Sequence, residues 1–211
     1  MDTLKIRNLS FGYAPATPVL DNVSCAIADR TFIHLAGPSG CGKTSLLCCI
    51  AGLLPARYDE LALRGIALPP ALPPHRRGIA MVFQRAALWP HLSMRRNIML
   101  ARNSLALELP LIETWAAALN LQSCWNAYPH ELSGGQQQRV ELLRALATGL
   151  PVLLLDEPFA FQDAAMRAAI AAILVAYQRR LKALIILASH AGQPDDLLPG
   201  VAVVDLAPRP A

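Results

Sequence analysis

Gly37-Pro38-Ser39-Gly40-Cys41-Gly42-Lys43-Thr44 is the stretch on which the fold turns. It has the pattern G-x-x-x-x-G-K-[ST]. An apolar, strand-like run, Thr31–Ala36, leads into it, and Lys43–Leu54 behind it is apolar nearly all round, as a buried helix is. A strand that breaks into glycines and restarts as a helix is the context this pattern requires. The glycines let the backbone curl so that successive N–H groups face phosphate oxygens, and the helix start adds its positive end. Lys43 supplies a point charge for β- and γ-phosphates, and Thr44 a hydroxyl for Mg²⁺. Gly37 through Thr44, with Ser45 behind them, are therefore the expected nucleotide-binding set. Kinases, GTPases and motor ATPases share the pattern, so alone it does not name the reaction.

Outward from this loop, short β-like runs alternate with helical stretches. Leu4–Leu9 and Val23–Ile27 read as strands near the N-terminus. Ile79–Phe83, Val152–Leu155, Leu184–Ala188 and Val201–Leu206 are short apolar runs, which suggest buried, mostly parallel strands. Residues 86–148 hold helical patterns (Met94–Arg102, Leu109–Leu119, Gly135–Thr148) and no convincing strand. Prolines at 55, 69, 70, 73 and 74 mark an irregular segment before them. The expected organisation is a single domain over 1–211, with a core of about 1–85 and 149–211 and an inserted helical lobe of about 86–148.

The run Val152–Leu155 ends in Asp156-Glu157. A strand buried beside the phosphate loop delivers both acids to the γ end of the nucleotide. There Asp156 suits the surroundings of Mg²⁺, and Glu157 can polarise a water aimed at the γ-phosphate.

Leu132-Ser133-Gly134-Gly135-Gln136, continued by Gln137-Gln138-Arg139-Val140, resembles the signature of ABC ATPases. Physically it is a second anion site, a serine and two glycines opening a helix. The resemblance runs from residue 3 to about 205. It implies an α/β phosphate-loop fold with a mostly parallel sheet, an N-terminal antiparallel β element and an inserted helical lobe. It also implies ATP hydrolysis with Mg²⁺ in a homodimer formed in the ATP-bound state, where the signature of one subunit closes on the nucleotide of the other. By the same resemblance Tyr13 stacks on adenine, with Phe11 a competing candidate. Gln84 touches Mg²⁺ and the attacking water, Asp163 crosses the dimer interface, and His190 contacts the γ-phosphate. Lys43, Gln84, Glu157 and His190 are then the catalytic set, and Thr44, Gln84 and Asp156 the metal set.

The stretch Pro74–Ile79 leading to Gln84, and Ala87-Leu88-Trp89-Pro90-His91-Leu92 beyond it, resemble bacterial importers of small solutes such as thiamine, iron, polyamines or sulfate. That implies transmembrane permease subunits as partners, a solute-binding protein beyond them, and a peripheral place on the cytoplasmic face of the membrane. Two stretches depart from the family pattern. Ala160-Phe161-Gln162-Asp163 replaces Ser-Ala-Leu-Asp, and Ala191-Gly192-Gln193-Pro194 breaks the segment after His190. The chain stops near 211, so the C-terminal regulatory domain of sugar-importer ATPases is expected to be missing. Leu88 and Trp89 are either core residues or an anchor awaiting a partner.

Composition agrees. Of 211 residues 54% are hydrophobic and 16% charged, yet no apolar run approaches the roughly 20 residues that span a bilayer. No secretion signal is apparent. Five cysteines without a C-x-x-C pair fit reduced thiols, and argue against disulfides or a zinc site. Cys41, inside the cradle, is expected to carry a reactive thiol. Eight arginines between Arg57 and Arg102 read as a solvated face, turned toward anionic lipid head groups, since no nucleic-acid motif accompanies them. One copy of each motif argues against the two-cassette relatives of translation and DNA repair. The signature argues against a small-molecule kinase, and Glu157, Gln84 and His190 together argue against a module that binds ATP without hydrolysing it.

Overall fold

The computed structural model describes residues 2–14, 17–103, 106–189, 194 and 196–206. The strands are β1 (Asp2–Ala14), β2 (Thr17–Ala28), β3 (Phe32–Ala36), β4 (Glu60–Leu63), β5 (Ile66–Ala67), β6 (Ile79–Val82), β7 (Val152–Asp156), β8 (Leu184–Ala188) and β9 (Ala202–Asp205). The helices are α1 (Lys43–Ala51), α2 (Met94–Ala101), α3 (Leu109–Ala118), α4 (Gly134–Ala147) and α5 (Ala164–Leu181).

Two sheets result. The first is parallel, in the order β6-β7-β8-β3-β9. The second is antiparallel, in the order β2-β1-β4-β5. Every residue of β3, β7 and β8 is buried, His34 and Asp156 included, as in mostly apolar strands covered on both faces. Their alternation feeds two cores. Val152, Leu154, Leu184 and Ile186 join α1 and the antiparallel sheet, while Leu153, Leu155, Ile185 and Leu187 join the helices α2 to α5. Each such Leu or Ile contributes about 1.5–3 kcal/mol by leaving water. No strand occurs between 86 and 148 among the described residues, and α2, α3 and α4 pack there against one sheet face.

Two expectations change. The helix behind the phosphate loop ends at Ala51 rather than Leu54, because Gly52 turns left-handed (φ 79°) and its N–H closes on Cys48 and Cys49 carbonyls. Arg77, grouped above with a solvated basic face, is buried. Its guanidinium donates to the carbonyls of Cys49, Ile50 and Leu72, and so holds the end of α1.

The segment leading into α2 is held by one buried amide. Asn97 Oδ1 accepts from the Trp89 N–H (2.9 Å), and its Nδ2 donates to the carbonyls of Trp89, Leu92 and Ser93 at 2.9–3.2 Å. Truncation strips partners from several part-buried backbone groups. Asn97→Ala should cost about 1–3 kcal/mol, or about 2–4 °C of melting temperature per kcal/mol in a chain of this size. A thermal melt indistinguishable from wild type would refute the clamp.

Candidate nucleotide site

The site lies at the carboxyl ends of β3 and β7. One cavity of about 270 Å³ is lined by Ser39, Gly40, Gly42, Lys43, Thr44, Ser45, Gln84, Asp156 and Glu157. Residues from three separated stretches of sequence thus share one wall. The loop is shaped by glycines where a side chain cannot fit. At Gly42 (φ 104°) a Cβ would stand 2.7 Å from Leu20, and at Gly37 (φ 149°) 2.7 Å from the Cys41 sulfur.

That last contact corrects one expectation. Cys41 is buried and packs behind the loop in the apolar cluster instead of facing the cradle. Its N–H is spent on the Pro38 carbonyl (3.3 Å). It is a small core residue, not a reactive thiol. Lys43 is also nearly buried, and its ammonium donates to the carbonyls of Gly37 (2.7 Å) and Pro38 (3.1 Å). Those bonds hold the cation over the loop.

Thr44 donates to Asp156 Oδ2 at 2.8 Å, which ties the loop to β7. Asp156 is buried, and burial pushes its carboxyl above the usual range, against the opposing Thr44 hydrogen bond and Lys43 charge. Glu157 follows with φ 52°, so the backbone leaves the strand in the left-handed region. Its N–H donates to the Ala188 carbonyl (2.8 Å), and its own carbonyl accepts from Gln138 Nε2 (2.9 Å).

Tyr13 rather than Phe11 offers an open ring. Tyr13 is 73% exposed and Phe11 7%, in edge contact at a centroid distance of 4.9 Å. The Tyr13 hydroxyl meets Ser45 Oγ at 3.4 Å, beside the phosphate loop.

The signature residues line no part of this cavity. Leu132 is buried in the lobe core. Ser133 and Gln136 form a reciprocal capping box: Ser133 Oγ accepts from the Gln136 N–H, and Gln136 Oε1 from the Ser133 N–H (2.8 Å). Gly134 and Gly135 lie at the start of α4. A Cβ at Gly134 would meet nothing within 4 Å, and at Gly135 nothing nearer than 3.5 Å. Asp163 is exposed and caps α5, accepting from the Met166 N–H (2.7 Å). His190 lies outside the described residues. Just before it Ser189 is held by buried His34, whose Nε2 stands 3.0 Å from Ser189 Oγ.

Sequence reading missed the polar groups behind these elements. Glu141 lies fully buried in α4, and burial pushes its carboxyl upward, opposed by the Ala87 backbone, Arg144 and the Phe83 backbone. Arg144 donates to the Ala87 carbonyl (2.9 Å) and lies over the Trp89 ring at 4.8 Å. Trp89 is 40% exposed, so it is not a core residue, whereas Leu88 packs partly against the lobe core. A charge inside Val140-Glu141-Leu142-Leu143 was the one available signal.

With this geometry in view, comparison places the chain. A family model described as ABC transporter matches residues 20–160, and the chain belongs to that family. It is 42% identical over 171 residues to the spermidine/putrescine import ATP-binding protein PotA of Pseudomonas fluorescens, covering 78% of this chain and 47% of that protein. It is 40% identical over 194 residues to the sn-glycerol-3-phosphate import ATP-binding protein UgpC 1 of Rhizobium johnstonii (90% and 52%). It is 41% identical over 189 residues to the molybdenum import ATP-binding protein ModC of Saccharophagus degradans (87% and 52%). The chain spans about half the length of the curated relatives it matches.

The Asp156 environment makes a pH-dependent prediction. A carboxyl raised above its unfolded value binds a proton more readily in the folded state, so between the two values stability falls as pH rises. Wherever Asp156 is ionised, the folded chain holds a desolvated carboxylate. Asp156→Asn, which keeps an acceptor for Thr44, should therefore raise the nucleotide-free melting temperature by a few degrees at pH 7, about 2–4 °C per kcal/mol relieved. The gain should shrink as pH falls through the raised value. Thermal melts at pH 7 and pH 4.5 would test this, and a nucleotide-free variant less stable than wild type at pH 7 would contradict it.

Proposed function

We propose that this chain binds MgATP in the cavity, hydrolyses it, and powers solute import through membrane partners. The observation that carries the reading is the convergence of Lys43, Thr44, Gln84, Asp156 and Glu157 on one cavity. Lys43 exchanges two loop carbonyls for phosphate oxygens. Thr44 and Asp156 offer hard oxygens of the kind Mg²⁺ takes, with Gln84 beside them. A bound Mg²⁺ would neutralise charge on the β- and γ-phosphates. Glu157 accepts the proton of the attacking water, and Tyr13 receives the adenine ring on its open face. The catalytic set is Lys43, Gln84 and Glu157, with His190 proposed from the family pattern.

A homodimer accounts for Ser133, Gly134 and Gly135. The two glycines meet no tight contact within the chain, so nothing internal excludes a Cβ there. Their absence of side chains suits close approach by a phosphate held in a second copy. Asp163 is exposed, and it is assigned here to the same face from the family pattern. The named relatives import three chemically different solutes, so selectivity is proposed to reside in permease and solute-binding partners. No described helix is long and apolar enough to cross a membrane, which suits a peripheral subunit at the cytoplasmic face.

Hydrolysis is tested at Glu157. Glu157→Gln should bind ATP with wild-type affinity and turn over at least about a hundredfold more slowly, the scale of a lost general base. It should also trap an ATP-bound dimer visible by size-exclusion chromatography. Near-normal turnover would remove Glu157 from this role.

The permease contact is tested at Trp89. Its half-open ring on Arg144 is a cation–π contact of about 0.5–1 kcal/mol, far less than the roughly 3–5 kcal/mol of a truncated aromatic core. Trp89→Ala should therefore leave basal turnover near wild type and lower the melting temperature only slightly. Co-purification with the permease, or stimulation by it, should disappear. Undiminished coupling would exclude Trp89 as the anchor.

A further inference from the structure

Between the signature helix and the acidic pair runs a chain of side-chain amides. Gln162, which stands where the family pattern has leucine, is 8% exposed. Its Oε1 accepts from Arg139 Nη1 at 2.7 Å. Its Nε2 donates to Gln138 Oε1 at 3.3 Å and lies 3.5 Å from the Gly135 carbonyl. Gln138, 5% exposed, donates its own Nε2 to the Glu157 carbonyl at 2.9 Å.

The chemistry of the two ends fixes the direction of every link. A guanidinium can only donate, so Gln162 must turn its oxygen toward Arg139 and its NH₂ toward Gln138. Gln138 must then present its oxygen to Gln162 and its NH₂ to the Glu157 carbonyl, which can only accept. Were either amide reversed, two oxygens or two NH₂ groups would face each other in a buried place. Burial lowers the Arg139 value, and the nearby Asp163 carboxylate opposes that shift. The far end is Glu157, a non-glycine residue at φ 52°, whose orientation depends on what holds its carbonyl and N–H.

We propose that Arg139–Gln162–Gln138 is a directional relay that sets the backbone of Glu157, with Gln162 as the positioning residue that joins its halves. It rests on the reading of Glu157 as the hydrolytic base. One end touches the start of α4 through Gly135, on the face assigned to a second copy. The other end holds a residue of the chain's own cavity. The relay therefore links the surface a subunit lends to its partner with the glutamate it uses itself. A leucine at 162 would pack in similar volume but supply neither an acceptor for Arg139 Nη1 nor an N–H for Gln138 Oε1.

The test is steady-state ATP hydrolysis by the full chain, with melting temperature measured on each variant. Gln162→Leu should lower kcat about tenfold and leave KM for MgATP within about twofold, as misplacement of a catalytic group does. Gln162→Glu keeps an acceptor for Arg139 but has no N–H to give, so it should lose kcat similarly; it also serves if the leucine variant folds poorly. Because Gln138 acts in the same relay, Gln138→Leu with Gln162→Leu should be no slower than the worse single variant. An unchanged kcat in folded Gln162→Leu or Gln162→Glu, or losses that multiply in the double variant, would overturn the relay while wild-type turnover and its loss in Glu157→Gln stand. A Glu157→Gln protein that still turns over would instead overturn the reading beneath it.

Discussion

The hydrogen bond from Thr44 to Asp156, 2.8 Å long, joins residues 112 apart in sequence. Its ends belong to α1, behind β3, and to β7, while β8 lies between those two strands in the sheet. The bond therefore spans the carboxyl end of β8 and needs three parallel strands in register. Phe32 pairs with Ile185, and Val152 with Leu184, so a slip of one residue in either ladder would turn the acids away from the loop. The buried apolar strands stabilise the sheet, and they also fix the height at which hydroxyl meets carboxylate.

Much of the parallel sheet was legible because its strands are covered on both faces. Short apolar runs such as Val152–Leu155 and Leu184–Ala188 have few other places to go. Elements with one open face were harder. β4 is half-buried in alternate positions, and β5 is two exposed residues, so neither stood out against the neighbouring prolines. The end of α1 was misplaced for another reason. The apolar pattern continues through Leu54, but backbone geometry at Gly52 and the guanidinium of Arg77 decide where the helix stops.

At the candidate site, the residues that face the cavity were legible from motif order, and those that hold them were not. Motifs record what a ligand must touch. Of the supporting groups, Asn97, Gln138 and Gln162 are ordinary polar residues whose burial no local pattern betrays, and only Glu141, set in an apolar run, left a hint. Cys41 shows the reverse error. It lies within the motif, but its side chain points into the core, and sequence position does not reveal side-chain direction in a loop.

The Asp-Glu pair shows why backbone conformation matters here as much as residue type. In an extended strand successive side chains point to opposite faces. A simple continuation of β7 would send Asp156 toward the loop and Glu157 to the other side of the sheet. Both acids nevertheless line the same cavity. The left-handed turn at Glu157 breaks the alternation at the residue where alternation would separate them. A conformation of this kind costs on the order of 1–3 kcal/mol for a residue with a side chain. Glycine would adopt it freely but carries no carboxylate, so the strain follows from needing an acid there. The surroundings must offset it, and they bond both backbone groups of Glu157: Ala188 takes its N–H, while Gln138 and the Ala160 N–H take its carbonyl. The first of these comes from β8 and the second from the signature helix, so the geometry of this one residue depends on the sheet and on the lobe together.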